Sequence, residues 1–175
     1  MTAFSFDGIV APAAASPAKR RLFSRLWPFR GSRIHHRTFG TLRPYRNGQF
    51  WRGKVQFAPA GHRVGVCIHA GHAGPTDAQE RVYQQIEKHY AALLPHILAA
   101  MLPEYHKVRR AQPAARWPEA AEPGDLLKVL SFGCIWLEQG AGHPFVLSYQ
   151  SDRDKNHEFH VFFREGRVVN VAFEE

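Results

Sequence analysis

Cysteine is nearly absent from this chain, with two in 175 residues, Cys67 and Cys134, each inside an apolar run. Two thiols cannot build a disulfide framework, so the expectation is a pair of buried reduced cysteines in a soluble, cytoplasmic protein. Long apolar runs are missing too. None approaches the ~20 residues that a membrane-spanning helix requires. The order of a secretory signal is also lacking, because the N-terminal charges follow the mildly apolar stretch Phe4–Ala15 instead of preceding it. Acid is scarce in one place only. The first fifty residues hold one acid, Asp7, against nine Lys and Arg, a net of +8, whereas residues 51–175 carry 14 of each sign. The excess positive charge therefore belongs to an arm, and the body is electrically balanced.

Catalytic signatures are likewise wanting. There is no Gly-x-Ser-x-Gly nucleophile elbow and no glycine loop that could cradle a phosphate; Gly61, Gly71 and Gly74 read as turn residues. Neither cysteine sits among basic residues that would lower its pKa. These absences point to a non-enzymatic protein with no cofactor.

What is present divides the chain into an arm, residues 1–37, and a single domain, residues 38–175. Within the arm, Ala11–Ala18 is low in complexity and cannot bury enough surface to offset its ordering entropy. After it Leu22, Phe23, Leu26 and Trp27 recur at helical spacing up to Pro28, interleaved with Lys19, Arg20, Arg21, Arg25 and Arg30. One or two turns of basic amphipathic helix suit an anionic membrane surface or nucleic acid. The alternative is a solvated tail whose aromatics dock back on the body. The Arg-rich, acid-poor composition also resembles an organelle transit peptide.

The body opens on alternation. Phe50–Phe57 places Trp51, Val55 and Phe57 on one face and Arg52, Lys54 and Gln56 on the other. His62–His69 does the same with Val64, Val66 and Ile68. The short Pro/Gly link between them predicts an antiparallel hairpin, preceded by a strand over Thr38–Arg43. Thr76, with Gln79 three residues on, forms a capping box. From there a 3.6 period runs through Val82, Ile86, Tyr90, Leu93, Ile97 and Met101, broken by Pro95, which predicts a long, kinked helix or two abutting ones. Residues 111–124 hold three prolines and read as an irregular connector, followed by a short helix-like Asp125–Leu130. Four strand-like runs follow, Phe132–Leu137, Pro144–Gln150, His157–Phe163 and Arg167–Phe173. Their short links predict a four-stranded antiparallel meander. The expected fold is α+β, with an N-terminal hairpin, a long Pro-kinked helix and the C-terminal meander, the helix packed on one sheet face.

Eleven histidines invite a metal reading. Yet His157 and His160, three apart in a strand, point to opposite faces, and His157-Glu-Phe-His160 is one residue short of the zinc-protease spacing. Asp152 and Asp154 read as a turn, and His89 and His96 as boundary residues of the helix. No metal ligand set is assigned. The only basic cluster of the body read from sequence, Arg109, Arg110 and Arg116, reads as a solvated helix end.

Phe39-Gly40, Trp51-x-Gly53, the long helix from near Pro75 to Leu102–Tyr105, and Asp152 followed by His157-Glu-Phe-His-Val-Phe-Phe-Arg-Glu-Gly-Arg-Val-Val-Asn-Val171 together resemble a group of uncharacterised bacterial domains with immunity-protein-like members. The resemblance covers about residues 38–175. It implies a small α+β module that binds another protein, such as a cognate toxin, and it supplies no catalytic residues. The contact surface expected for such a module is the polar side of the hairpin, Arg52, Lys54 and His69, with the meander loop residues Arg153, Asp154, Lys155 and His157. The alternatives are a nucleic-acid or membrane-surface binder acting through Lys19, Arg20, Arg21, Arg25, Trp27 and Arg30, or a histidine-rich metal protein.

Overall fold

The computed structural model describes residues 33–46, 48–113, 116–140 and 144–174, and the arm residues Lys19 to Arg30 lie outside that range. Its strands form one eight-stranded sheet in chain order: β1 (Ile34–His36), β2 (Gly40–Tyr45), β3 (Phe50–Phe57), β4 (His62–His69), β5 (Ser131–Leu137), β6 (Phe145–Ser151), β7 (Asp154–Arg164) and β8 (Arg167–Glu174). Every neighbouring pair is antiparallel except β4 and β5, which run parallel with Gly65 opposite Cys134 and Cys67 opposite Trp136. This corrects the expectation of a hairpin and a separate four-stranded meander. The two halves are one mixed sheet, joined at its centre by a β–α–β crossover.

The parallel seam explains the composition of its two strands. Parallel pairs sit at the middle of a sheet, with neighbours on both sides, and read as near-continuous apolar runs. Val64-Gly-Val-Cys-Ile68 and Phe132-Gly-Cys-Ile-Trp-Leu137 are such runs, and Cys67 has no exposed surface although it lies on the face away from the helix.

The crossover is a single helix, α1 (Asp77–Ala111), which keeps both Pro95 and Pro103 inside it. Each proline lacks the N–H that would bond the carbonyl four residues earlier, on Ala91 and Ala99. All four residues are exposed, so water can bond the orphaned carbonyls and the helix continues. The expected capping box is present. Gln79 N donates to Thr76 Oγ1 at 3.3 Å, and Thr76 N donates to Gln79 Oε1 at 3.1 Å. Gln79 does more than cap. Its Nε2 donates to His69 O at 2.8 Å and to Glu138 O at 3.4 Å, bridging the ends of β4 and β5 where the parallel seam closes.

At 1.5 Å per residue α1 is about 50 Å long, roughly twice the length of an eight-residue strand, so it crosses the sheet on the diagonal. Rings mark its path. Tyr83 meets Phe39 in the β1–β2 turn at 5.3 Å, Tyr90 meets Phe57 of β3 at 5.1 Å and Phe132 of β5 at 5.2 Å, and Tyr105 meets Phe159 of β7 at 6.0 Å. The connector then folds back on the helix. Tyr105 Oη donates to Pro118 O at 2.8 Å, Arg109 Nε to Trp117 O at 3.2 Å, and the Trp117 ring closes the core against Phe159 and Phe173. Arg109 is thus a structural donor and not part of a solvated basic cluster. At the outer edge Val169 is the extra residue of a bulge between the pairs Phe163–Val168 and Phe162–Asn170. A bulge there interrupts the regular ladder that would template another strand.

The first turn of α1 is tied to the start of the sheet by charge. Arg37 grips Glu80 with Nε at 3.0 Å from Oε1 and Nη2 at 2.8 Å from Oε2, and the Thr38 hydroxyl donates to Oε1. The Glu80 side chain is 5% exposed and that of Arg37 is 77% exposed. The hydrogen bond from Arg37, followed by that from Thr38, holds the Glu80 carboxyl below the ordinary range against the opposing effect of burial. A carboxyl whose pKa is lowered by folding stabilises the fold above its unfolded value, about 4.3, and loses that contribution as pH falls through the folded value. The Tm of the wild type should therefore fall more steeply below about pH 5 than that of Glu80→Gln. At pH 7 the substitution should cost about 1 kcal/mol, modest because Arg37 is well solvated. Thermal melts of the two proteins from neutral to acidic pH check this, and parallel curves would refute it.

Candidate functional site

One face of the sheet is covered by α1. On the other, among the described residues, no second layer packs. Alternation aims Arg52 and Lys54 of β3, Arg63 of β4, Cys134 and Trp136 of β5, and Glu158 of β7 at this face. A shallow groove of about 1060 Å³ crosses it from β2 to β7. Its β2–β4 side carries Arg43, Arg52, Lys54 and Arg63, and its opposite wall carries Gln150 and Glu158, which hydrogen-bond to each other.

Register gathers the cations. The turn after β2 places Arg43 directly opposite Arg52, and the hairpin turn Ala58–Gly61 places Arg63 opposite Gln56, beside Lys54. Arg63 Nη2 donates to Lys54 O at 3.2 Å. The Arg52 guanidinium lies 4.9 Å from the Tyr45 ring centre, and Arg46 covers Tyr45 at 5.5 Å and Phe50 at 5.8 Å. The ion pairs among the described residues involve Arg37, His69, Lys107, Lys128 and His157, so no carboxylate is paired with these four cations. Like charges directly opposite on neighbouring strands destabilise a sheet.

The floor of the groove is built of small residues that fit closely under their neighbours' side chains. A Cβ on Gly65 would stand 3.1 Å from Cys134 Sγ, and one on Gly133 would stand 3.1 Å from Gln150 Cδ. Burial pushes both thiols up to about 12, so Cys67 and Cys134 stay protonated. Both are expected to react with iodoacetamide at pH 8 roughly a hundredfold or more slowly than a model thiol. Mass spectrometry of the alkylated protein reads this directly, and labelling at the model rate would show a thiolate that the geometry does not provide.

No family model, curated protein or solved structure matches this chain. Its function must be read from the face itself.

The residues singled out from sequence are dispersed. Arg52 and Lys54 line the groove. His69 is on the same face at its far end, where Nδ1 donates to Glu138 Oε2 at 2.9 Å and the ring stacks on Phe50 at 4.6 Å. Arg153 belongs to the β6–β7 turn and Asp154 opens β7, where its Oδ2 accepts from His157 Nδ1 at 2.9 Å, which draws the Asp154 pKa down. His157 also stacks on Phe173, and the side chain of Lys155 is outside the described residues. The pairing of Asp154 with His157 makes this turn a self-satisfied structure, while the unpaired cations lie on β2–β4. Arg43, Arg63, Tyr45 and Trp136 escaped the sequence reading. Two of them were within reach of it, because the short turns fix the register that brings Arg43 and Arg63 beside Arg52 and Lys54.

One arrangement on this side resembles a catalytic one. Ser148 Oγ accepts from Trp136 Nε1 at 3.1 Å and shares a 2.9 Å bond with His160 Nδ1. Ser148 has no exposed surface, so a substrate carbonyl cannot reach its hydroxyl. For metals, among the described residues no three His, Cys, Asp or Glu side chains converge. His157, against Phe173, and His160, against Ser148, occupy opposite faces of β7. Among the described residues no helix is long and apolar enough to cross a membrane.

Proposed function

We propose that this chain is a non-enzymatic module that binds another protein on the uncovered face of its sheet, in the manner of an immunity factor holding a cognate toxin. One observation carries the reading: Arg43, Arg52, Lys54 and Arg63 are gathered in register on one open face, and among the described residues none of them is ion-paired with a carboxylate. A fold keeps repelling charges together at some cost in stability, and a partner's opposite charge is what would offset it. The resemblance of residues 38–175 to immunity-protein-like bacterial domains points the same way.

The test is a stoichiometric pull-down from the source cells with the full-length chain and a form starting at Arg33. Cutting at residue 38 would remove β1 and the Arg37 bonds to Glu80. Recovery of one protein at equal stoichiometry by both forms supports the proposal. Recovery of nucleic acid or lipid by the full-length chain alone would move binding to the basic arm and overturn it.

A further inference from the structure

We infer that the groove between β2 and β7 receives an acidic, carboxylate-bearing polypeptide segment of the partner, its acids on Arg43, Arg52, Lys54 and Arg63 and its neutral part over the Gly65–Cys134 floor. This rests on the reading of the uncovered face as a protein-binding surface.

Charge selects the sign of the occupant. Four cations line one side of the groove. The chain's own residues 1–32 carry five Lys and Arg against one Asp, the wrong sign to lie there. Guanidinium groups on a rigid sheet present forked donors that match carboxylates.

Three features favour a polypeptide over a nucleic-acid strand. First, the positive charge is local: residues 51–175 balance 14 cations with 14 acids, so the body lacks the broad field that a phosphate backbone exploits. Second, Glu158 stands on the opposite wall, where a phosphate chain crossing the groove would meet it. A segment with its acids clustered at one end avoids it. Third, the ring faces of Tyr45 and Phe50 are already covered. Tyr45 lies under Arg52 and Arg46, Phe50 is stacked on His69, and the Trp136 indole N–H is held by Ser148. Single-stranded nucleic acid binds by stacking bases on vacant aromatic faces. Here the faces of Tyr45 and Phe50 carry guanidinium or imidazole instead.

On the floor, Cys134 packs over Gly65 and Gln150 over Gly133. Gly65 and Gly133 leave the centre of the groove without β-carbons, and the protonated Cys134 thiol gives it an apolar surface. The wall of Trp136 and Gln150 suits an apolar or amide side chain from the same segment.

The probe is a labelled oligo-glutamate of about twenty residues, measured by fluorescence anisotropy with the full-length chain, alongside a labelled oligothymidylate of similar length. Arg52→Glu/Lys54→Glu should weaken oligo-glutamate binding about tenfold or more. Lys88→Glu/Arg110→Glu makes the same change in net charge on the exposed side of α1 and should weaken it by less than about threefold. Alanine at Lys19, Arg20, Arg21 and Arg25 should also have little effect. Equal loss in both charge-reversed proteins, loss confined to the arm variant, or no binding by the wild type would overturn the inference. Tighter binding of the oligothymidylate, abolished by Arg52→Glu/Lys54→Glu, would assign the groove to nucleic acid. If the groove variants still recover the pull-down partner in full, the binding-module reading stands and only the groove assignment falls.

Discussion

Truncating Phe57 to alanine is expected to cost about 3–5 kcal/mol and to lower Tm by roughly 6–20 °C in a chain of this size. Phe57 has no exposed surface and stands where three elements meet. Its ring centre is 5.1 Å from Tyr90 of α1, 5.3 Å from Phe132 of β5 and 6.3 Å from Tyr83 of α1. Those partners are anchored on a continuous helix and a central strand, so collapse around the void is limited, and the cost should fall in the upper part of the large-to-small range. Leucine at the same site should recover part of the loss, because the defect is volume and not chemistry. Chemical denaturation of the three proteins measures it. A loss below about 1 kcal/mol for alanine would mean that the junction of β3, β5 and α1 is not a packed centre.

That junction is also where the sequence was least legible. The strands themselves were readable, because alternation over Phe50–Phe57 and the apolar runs of β5 to β8 are local signals, and the short links enforce antiparallel neighbours. The Thr76–Gln79 capping box was equally local. The pairing of β4 with β5 was not, since it joins segments separated by α1 and the connector and depends on which strand edge is left to pair. Its trace in the sequence is the continuity of the apolar residues around Cys67 and Cys134, which marks strands at the centre of a sheet. Reading one run as the close of a hairpin and the other as the start of a meander separated one sheet into two. The candidate site was half visible for the same reason. Arg52 and Lys54 show themselves by alternation within one strand, whereas Arg43 joins them only once register is fixed. Asp154 and His157 look like exposed loop contact points in sequence, but both lie in β7 and their side chains bond each other.

The second large effect concerns a pair of buried hydroxyls that couples the helix to the sheet. Tyr90 of α1 and Tyr149 of β6 share a 3.0 Å hydrogen bond in the core, and burial raises the pKa of both. Their rings pack on Phe132, so the hydroxyls meet in apolar surroundings. Replacing either tyrosine by phenylalanine removes little volume but leaves the other hydroxyl buried without this partner, which should cost about 1–3 kcal/mol. Replacing both removes the orphan along with the bond, so the double variant should be no less stable than the worse single one and close to wild type. The cycle should therefore show a coupling of about 1 kcal/mol or more. Simple additivity of the two losses would mean that each hydroxyl is satisfied independently. The outcome bears on the groove as well, because β6 also carries Ser148 and Gln150 on its opposite face. Tyr149 secures one side of β6 to the helix, and that attachment holds the other side fixed as a wall of the binding surface.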